Sequence, residues 1–271
     1  MASTISRGIK APIIRQGDDI VKVVCDSVLA AMKEDSFTLN DGDVVSVTEA
    51  VVARADGNYA SIDDIAADVK AKFGGETVGV VFPILSRNRF SICLKGIARG
   101  AKKVVVLLSY PSDEVGNSLV DLDALDESGI NPFSDVLTVE DFRRAFGAPK
   151  HTFTGVDYVQ FYTDIIEGEG AEAEVIFANH AEVILNYTKN VLCCDIHSRE
   201  RTQRRVKAAG GETVLTLCDI MSAPVNGSGC NPQYGLLGSN KATENTIKLF
   251  PRDCQDLVED IQKQLLEATG K

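Results

Sequence analysis

Residues 190–218, NVLCCDIHSRERTQRRVKAAGGETVLTLC, decide the fold class. Asn190–Ile196 reads as a strand, largely apolar, with Asp195 near its end. Ser198–Ala209 is charged and rich in helix formers, and Gly210-Gly211 closes it. Thr213–Cys218 returns to β-branched and apolar residues. Strand, helix and strand in this order form a crossover unit, which requires parallel strands.

Working outward, the same alternation continues upstream. Asp157–Glu167 reads as a helix, Glu172–Ala178 as a strand and Ala181–Thr188 as a helix. Further back, Val104–Leu108 and Val78–Leu85 are buried strands, and Ser61–Phe73 is a helix capped by Ser61 and stopped at Gly74-Gly75. Ile20, Val23, Val24, Val28 and Leu29 recur at helical spacing, so a helix runs to about Met32. Val44–Val47 reads as one more buried strand. Cys254–Ala268 closes the chain as an amphipathic helix. The expectation is a mixed α/β protein with mixed sheets. A boundary near residue 150, in the acidic, turn-rich stretch after Asn117, divides it into 1–150 and 151–271.

The 271 residues suffice for a sizeable core. A net charge of −11 argues against non-specific nucleic-acid binding. No apolar run reaches the roughly 20 residues of a membrane span, and MASTISRGIK lacks a signal-peptide core. A cytoplasmic protein is expected. Seven cysteines without a CxxC pair point to reduced thiols, not to a zinc ribbon. Cys230, in the Gly-rich loop, is the candidate for reactivity.

In a parallel sheet, ligands gather at the carboxyl ends of strands, against helix N-termini. Asp195 stands at such an end, where a carboxylate suits Mg²⁺ or Mn²⁺. Arg199 and Arg201 follow within a turn and suit phosphate. His197 is a candidate base. Asp113, Glu114 and Asn117 form a second oxygen-rich cluster after a buried strand, and Asp113 and Glu114 join Asp195 as candidate metal ligands. Arg87, Asn88 and Arg89 suit an anionic substrate. Residues 222–253 form a long loop with glycines at 227, 229, 235 and 238. Ser228 and Asn231 are candidate binding residues there. GLLGSNKAT, at 235–243, lacks Walker A spacing, yet Ser239, Asn240 and Lys241 can form a looser anion nest. Thr48, Glu49 and Arg54 flank the apolar run Ala50–Ala53. For each group a plain surface or capping role stands as the alternative.

GIKAPIIRQGDD followed by DGDVVSVTEAVVARADGN resembles the N-terminal signature of coenzyme F420-0:L-glutamate ligases, the F420-0 γ-glutamyl ligase family. Ile14, Arg15, Gly17, Asp18, Asp19, Gly42, Asp43, Val44, Thr48, Arg54, Asp56 and Gly57 carry the resemblance, over roughly the first sixty residues. Further on, the family's Asp then Ser-Asn loop has Asp113-Glu114-Val115-Gly116-Asn117 as its nearest counterpart. The family's Asp-Thr-x-Gly-Arg strand end has Asp195-Ile196-His197-Ser198-Arg199, which keeps Asp and Arg at the same spacing. The sequence thus looks like a divergent branch. The resemblance implies a GTP- or ATP-dependent carboxylate–amine ligase that uses Mg²⁺ or Mn²⁺ and L-glutamate. It also implies activation of the carboxylate as an acyl phosphate, and a homodimer. In that frame Arg199, His197 and Lys241 are the candidate catalytic residues. A phosphate-ester enzyme of another class, or a non-catalytic binding relative, is the alternative.

Overall fold

The computed structural model describes residues 4–271. In chain order its elements are α1 (Ile20–Glu34), α2 (Glu49–Ala55), β1 (Tyr59–Ser61), α3 (Ile62–Phe73), β2 (Thr77–Val81), α4 (Phe90–Arg99) and β3 (Lys103–Leu108). Next come α5 (Leu122–Ser128), β4 (Leu137–Thr138), α6 (Val139–Phe146), α7 (Tyr158–Gly168), β5 (Glu172–Phe177) and β6 (Asn190–Cys193). The chain ends with α8 (Arg199–Ala208), β7 (Thr213–Thr216), β8 (Ser239–Thr243), β9 (Thr246–Leu249) and α9 (Cys254–Thr269). Two compact units result: residues up to Tyr59 with Phe250–Lys271, and Ala60–Leu249. Strands from both sides of residue 150 share one sheet of the larger unit.

The smaller unit is helical. Cys25 and Val28 of α1 bury against Ile261 and Leu265 of α9. Ile14, Ile20, Val52 and Ala55 make a second small cluster. Val44–Val47 is not the expected strand. Val44 is 88% exposed and Val45 37%, and only Val47 packs on the helices. Among the described residues no strand lies beside it to pair its N–H and C=O groups, and β-branched composition alone cannot supply that partner. The apolar run that follows lies within α2.

The larger unit holds a six-stranded sheet in the order β4-β5-β3-β2-β6-β7. All neighbours are parallel except β4, which pairs antiparallel with β5. A three-stranded sheet, β1-β9-β8, accompanies it. The mixed α/β class expected from the alternation is the observed one. The inner strands β2 and β3 are apolar almost throughout because both faces are covered. Val78, Val80, Val104, Val106 and Phe177 point into one core with Ile65, Leu94, Ile97 and Tyr162 from α3, α4 and α7. Val81, Val105, Leu107, Ile176 and Cys193 point into the other, with Ile184 and Val206. The period of two thus divides each strand between two cores.

Local signals end the elements where the chemistry requires. Ser61 and Asp64 form a reciprocal capping box on α3, and Thr138 and Asp141 form another on α6. Asp157 accepts the N–H groups of Val159 and Gln160 at the start of α7. Gly79 lies on the Ile184 side of β2, where an added Cβ would stand 2.4 Å from Ile184 Cγ1. Gly96 lets α4 approach α3, since a Cβ there would meet that of Ile65 at 2.5 Å. Several expected bounds shift. β2 stops at Val81, β6 at Cys193 and β7 at Thr216, and Ala181–Asn186 is a 3₁₀ turn instead of an α-helix.

Candidate active site

The strand order places the site. From β2 the chain moves outward to β3 and β5, then returns to β6 on the opposite flank of β2. The connections after β2 and β6 therefore diverge, leaving a crevice at their carboxyl ends where ligands of open α/β sheets bind. Phe82, the first residue past β2, has φ +52 and holds its N–H on Leu107 O at 2.9 Å. A non-glycine residue in this region is strained and marks a position the surroundings impose. Cys194, past β6, donates its N–H to Val81 O at 2.8 Å.

Asp195 follows directly and is 1% exposed. Its Oδ2 accepts the Thr202 hydroxyl at 2.7 Å, while Oδ1 is buried and has no hydrogen-bond partner among the described residues. Burial pushes this carboxyl up from its ordinary value, and the nearby Glu114 carboxylate adds to the rise. The hydroxyls of Thr202 and Ser198 act in the opposite direction. Buried polar atoms in folded proteins are nearly always paired, so the Oδ1 atom calls for an explanation.

Asp113 is buried, and both its oxygens are engaged. Oδ1 accepts from the N–H groups of Val115 (3.1 Å) and Asn117 (2.8 Å). Oδ2 accepts from Leu85 N–H (2.9 Å) and Asn117 Nδ2 (2.8 Å). Asp113 therefore ties the loop after β3 to the loop after β2. Glu114, next to it, reaches the start of α8 and accepts from Ile196, His197 and Ser198. Glu114 and Asp195 are thus brought together. Among the described residues no group of three or more His, Cys, Asp or Glu side chains converges as a metal cage. Mg²⁺ does not require one, since it is held by one or two carboxylates plus waters and phosphates. The partnerless Asp195 Oδ1 beside a second carboxylate fits such an ion.

A narrow, largely apolar slot opens at the same crevice. Ile84, Phe90, Cys194, Ile196 and Leu217 line it, with Arg89 as its one cationic side chain. Among the described residues the guanidinium groups of Arg87, Arg89 and Arg201 have no ion pair; Arg87 and Arg201 are exposed, Arg89 half-buried. Arg199 turns its Nη1 onto Ile196 O. His197 is exposed.

A second cleft of about 430 Å³ lies on the other side of the 86–89 turn. It collects Arg87, Asn88 and Lys241 with Lys95, over an apolar floor that includes Ile92, Phe161 and Ile165. Lys241 Nζ pairs with Glu244, and Lys241 N–H donates to Asn88 O at 3.1 Å. The stretch expected to form a loose nest is strand β8, paired with β9 through Ser239, Asn240 and Lys241. Ser239 is buried and donates to Leu236 O at 2.6 Å. Ser228 and Asn231 serve their own loop: Ser228 Oγ accepts Val225 N–H, and Asn231 Oδ1 accepts the N–H groups of Gln233 and Tyr234. Thr48, Glu49 and Arg54 are exposed and belong to the smaller unit. All seven cysteines are free. Cys230 is buried, and burial pushes the thiols of Cys93 and Cys193 up to about 11 and about 12.

A comparison with protein-family models matches residues 8–271 to F420-0:Gamma-glutamyl ligase. The chain belongs to this family. The match covers both compact units, far beyond the first sixty residues that carry the resemblance in the sequence. Membership points to a ligase that adds glutamate, with small molecules as substrates. No curated protein and no solved structure matches the chain. Among the described residues no helix is long and apolar enough to cross a membrane.

Sequence reading missed Thr202, Lys95, Phe161 and Ile165. Thr202 carried a faint signal, as the uncharged hydroxyl in the charged run RERTQRR. The cleft residues come from α4 and α7, whose spacing in sequence gives no hint that they meet.

Proposed function

We propose that this protein is a nucleotide- and divalent-metal-dependent ligase that joins a carboxylate substrate to L-glutamate through an acyl phosphate. The observation that supports it most is the buried Asp195 Oδ1, unpartnered among the described residues, at the crevice of the sheet beside backbone N–H groups that donate to a carboxylate. Asp195, with Glu114 at hand, would hold Mg²⁺ or Mn²⁺, which would supply charge neutralisation for the phosphates of GTP or ATP.

In this reading, a carboxylate oxygen of the acceptor attacks the terminal phosphorus. The bond from that phosphorus to the bridging oxygen breaks, leaving nucleoside diphosphate. The glutamate nitrogen then attacks the acyl carbon, phosphate departs, and the nitrogen loses a proton. Arg89 and Arg199 offset the charge on the transferring group, and Arg201 on α8 attracts the nucleotide. His197, exposed at the same strand end, is the base that takes the amine proton. The cleft with Arg87, Lys95 and Lys241 holds an anionic substrate, its cations matching carboxylates. A homodimer and a cytoplasmic location complete the proposal.

The test is release of inorganic phosphate that requires nucleotide, metal, a carboxylate acceptor and L-glutamate together. Phosphate release indifferent to glutamate would refute the ligase assignment and favour another phosphate-ester enzyme. A thermal-shift titration with GTP, ATP and Mn²⁺ adds a readout without turnover, because a ligand that binds only the native state raises its stability. Asp195→Ala is expected to abolish the Mn²⁺-dependent shift.

A further inference from the structure

Glu114 sits where an anion would sit. Its side chain is exposed and comes from the loop after β3, yet its carboxylate is met by consecutive donors at the start of α8. Ile196 N–H and His197 N–H donate to Oε1, the latter at 3.1 Å. His197 and Ser198 N–H groups approach Oε2 at 3.2 and 3.3 Å, and the Ser198 hydroxyl donates to it at 3.0 Å. Ser198, the residue that should cap α8, makes no side-chain cap of its own. Successive amides at the start of a helix, with the helix dipole behind them, are the chemistry of phosphate binding.

A second observation points to a ligand. Asp195, 1% exposed, presents an oxygen without a donor, close to both Ser198 and Glu114. Two neighbouring carboxylates repel each other, and although Glu114 is held by the amides, the Asp195 Oδ1 oxygen stays unsatisfied. The repulsion is relieved if the Glu114 carboxylate leaves and a phosphate takes the amides; Asp195 would then be free to hold a cation that supplies charge neutralisation. Arg89, lining the slot together with Ile196, adds a cation that has no ion pair among the described residues.

We propose that the amides of Ile196, His197 and Ser198 form a phosphate subsite, and that Glu114 is its resident stand-in, displaced when a phosphoryl group arrives. The inference rests on the ligase reading only in taking that phosphate to be the nucleotide's; the subsite itself requires a phosphate from any donor. Glu114 then sets the threshold for nucleotide entry, since the incoming phosphate competes with an intramolecular carboxylate.

The experiment compares the full-length wild-type protein with Glu114→Ala and Glu114→Gln. Metal-free pyrophosphate, and separately GTP with Mn²⁺, are titrated by calorimetry and thermal shift. Both variants are expected to melt at lower temperature without ligand, because α8 loses its cap. Glu114→Ala is expected to bind pyrophosphate at least tenfold more tightly than wild type, with a smaller gain for Glu114→Gln. A lowered melting temperature with unchanged or weaker pyrophosphate affinity would show a simple cap and overturn the proposal. Unchanged pyrophosphate affinity in both variants overturns it whether or not Mn²⁺ binding is also lost. If neither variant folds, hydrogen exchange on wild type decides: pyrophosphate must change protection at Ile196, His197 and Ser198, and no change refutes the subsite. The ligase reading is judged apart, by glutamate-dependent phosphate release.

Discussion

Replacing Asp113 by alanine tests whether this carboxylate is the tie that builds the site. It is 6% exposed and accepts four hydrogen bonds between 2.8 and 3.1 Å, three of them from backbone N–H groups. Hydrogen bonds to a charged group contribute about 1.5–3 kcal/mol each, so a plain sum would reach about 6–12 kcal/mol. That sum is too large, because Val115 is 47% exposed and Asn117 half-buried, and both can turn to water. Leu85 N–H, in a residue only 5% exposed, cannot. Its desolvation alone costs about 1–3 kcal/mol once the acceptor is gone. With partial loss at the other donors, the expected destabilisation is about 3–4 kcal/mol, in the range for breaking a buried charged contact. For a unit of this size that lowers the melting temperature by about 6–16 °C. Guanidinium unfolding gives the free energy, and hydrogen exchange at Leu85 and Asn117 localises it. A loss below about 1 kcal/mol, or unchanged protection at Leu85, would refute the reasoning. Since the same loop carries Glu114, Ile196–Ser198 must also lose protection.

Asp195→Asn should trade function for stability. Burial raises the Asp195 carboxyl in the fold, so between its unfolded and folded values the native state binds more protons, and stability falls as pH rises through the folded value. Unfolding measured from acid to neutral pH should show this decline in wild type and a flatter profile in the variant; the reverse order would contradict the assigned cause. Gly79→Ala should cost about 1–3 kcal/mol by overpacking against Ile184, 2.4 Å from the new Cβ. Adding Ile184→Ala should recover part of the loss by a coupling of at least about 0.5 kcal/mol, and strict additivity would show that the two positions do not clash.

The α/β class was legible because its signals are local. The apolar runs of β3 and β5, the Ser61 cap and the Gly74 stop act within a few residues. The same holds for the Asp195–Arg199 spacing, which singles out the strand end after β6 as a candidate site. Val44–Val47 failed for the converse reason: a strand is defined by its neighbour, and composition does not say whether one is present. Lys241 likewise sits on a strand and in the cleft, where a Gly-rich loop had suggested a nest.

By itself, the sequence determined the core strands β2, β3, β5, β6 and β7, the helices α1, α3, α7, α8 and α9, their order and the chemical character of those strand ends, since periodicity, capping and turn residues operate over one or two turns of chain. Only the tertiary structure decided which ends meet. The order β3-β2-β6 carries Glu114 across 82 residues to the amide of Ile196 and leaves one oxygen of Asp195 buried without a partner. Such pairings follow from sheet order and from what each buried group has left to bond, and neither quantity is written in the spacing of residues along the chain.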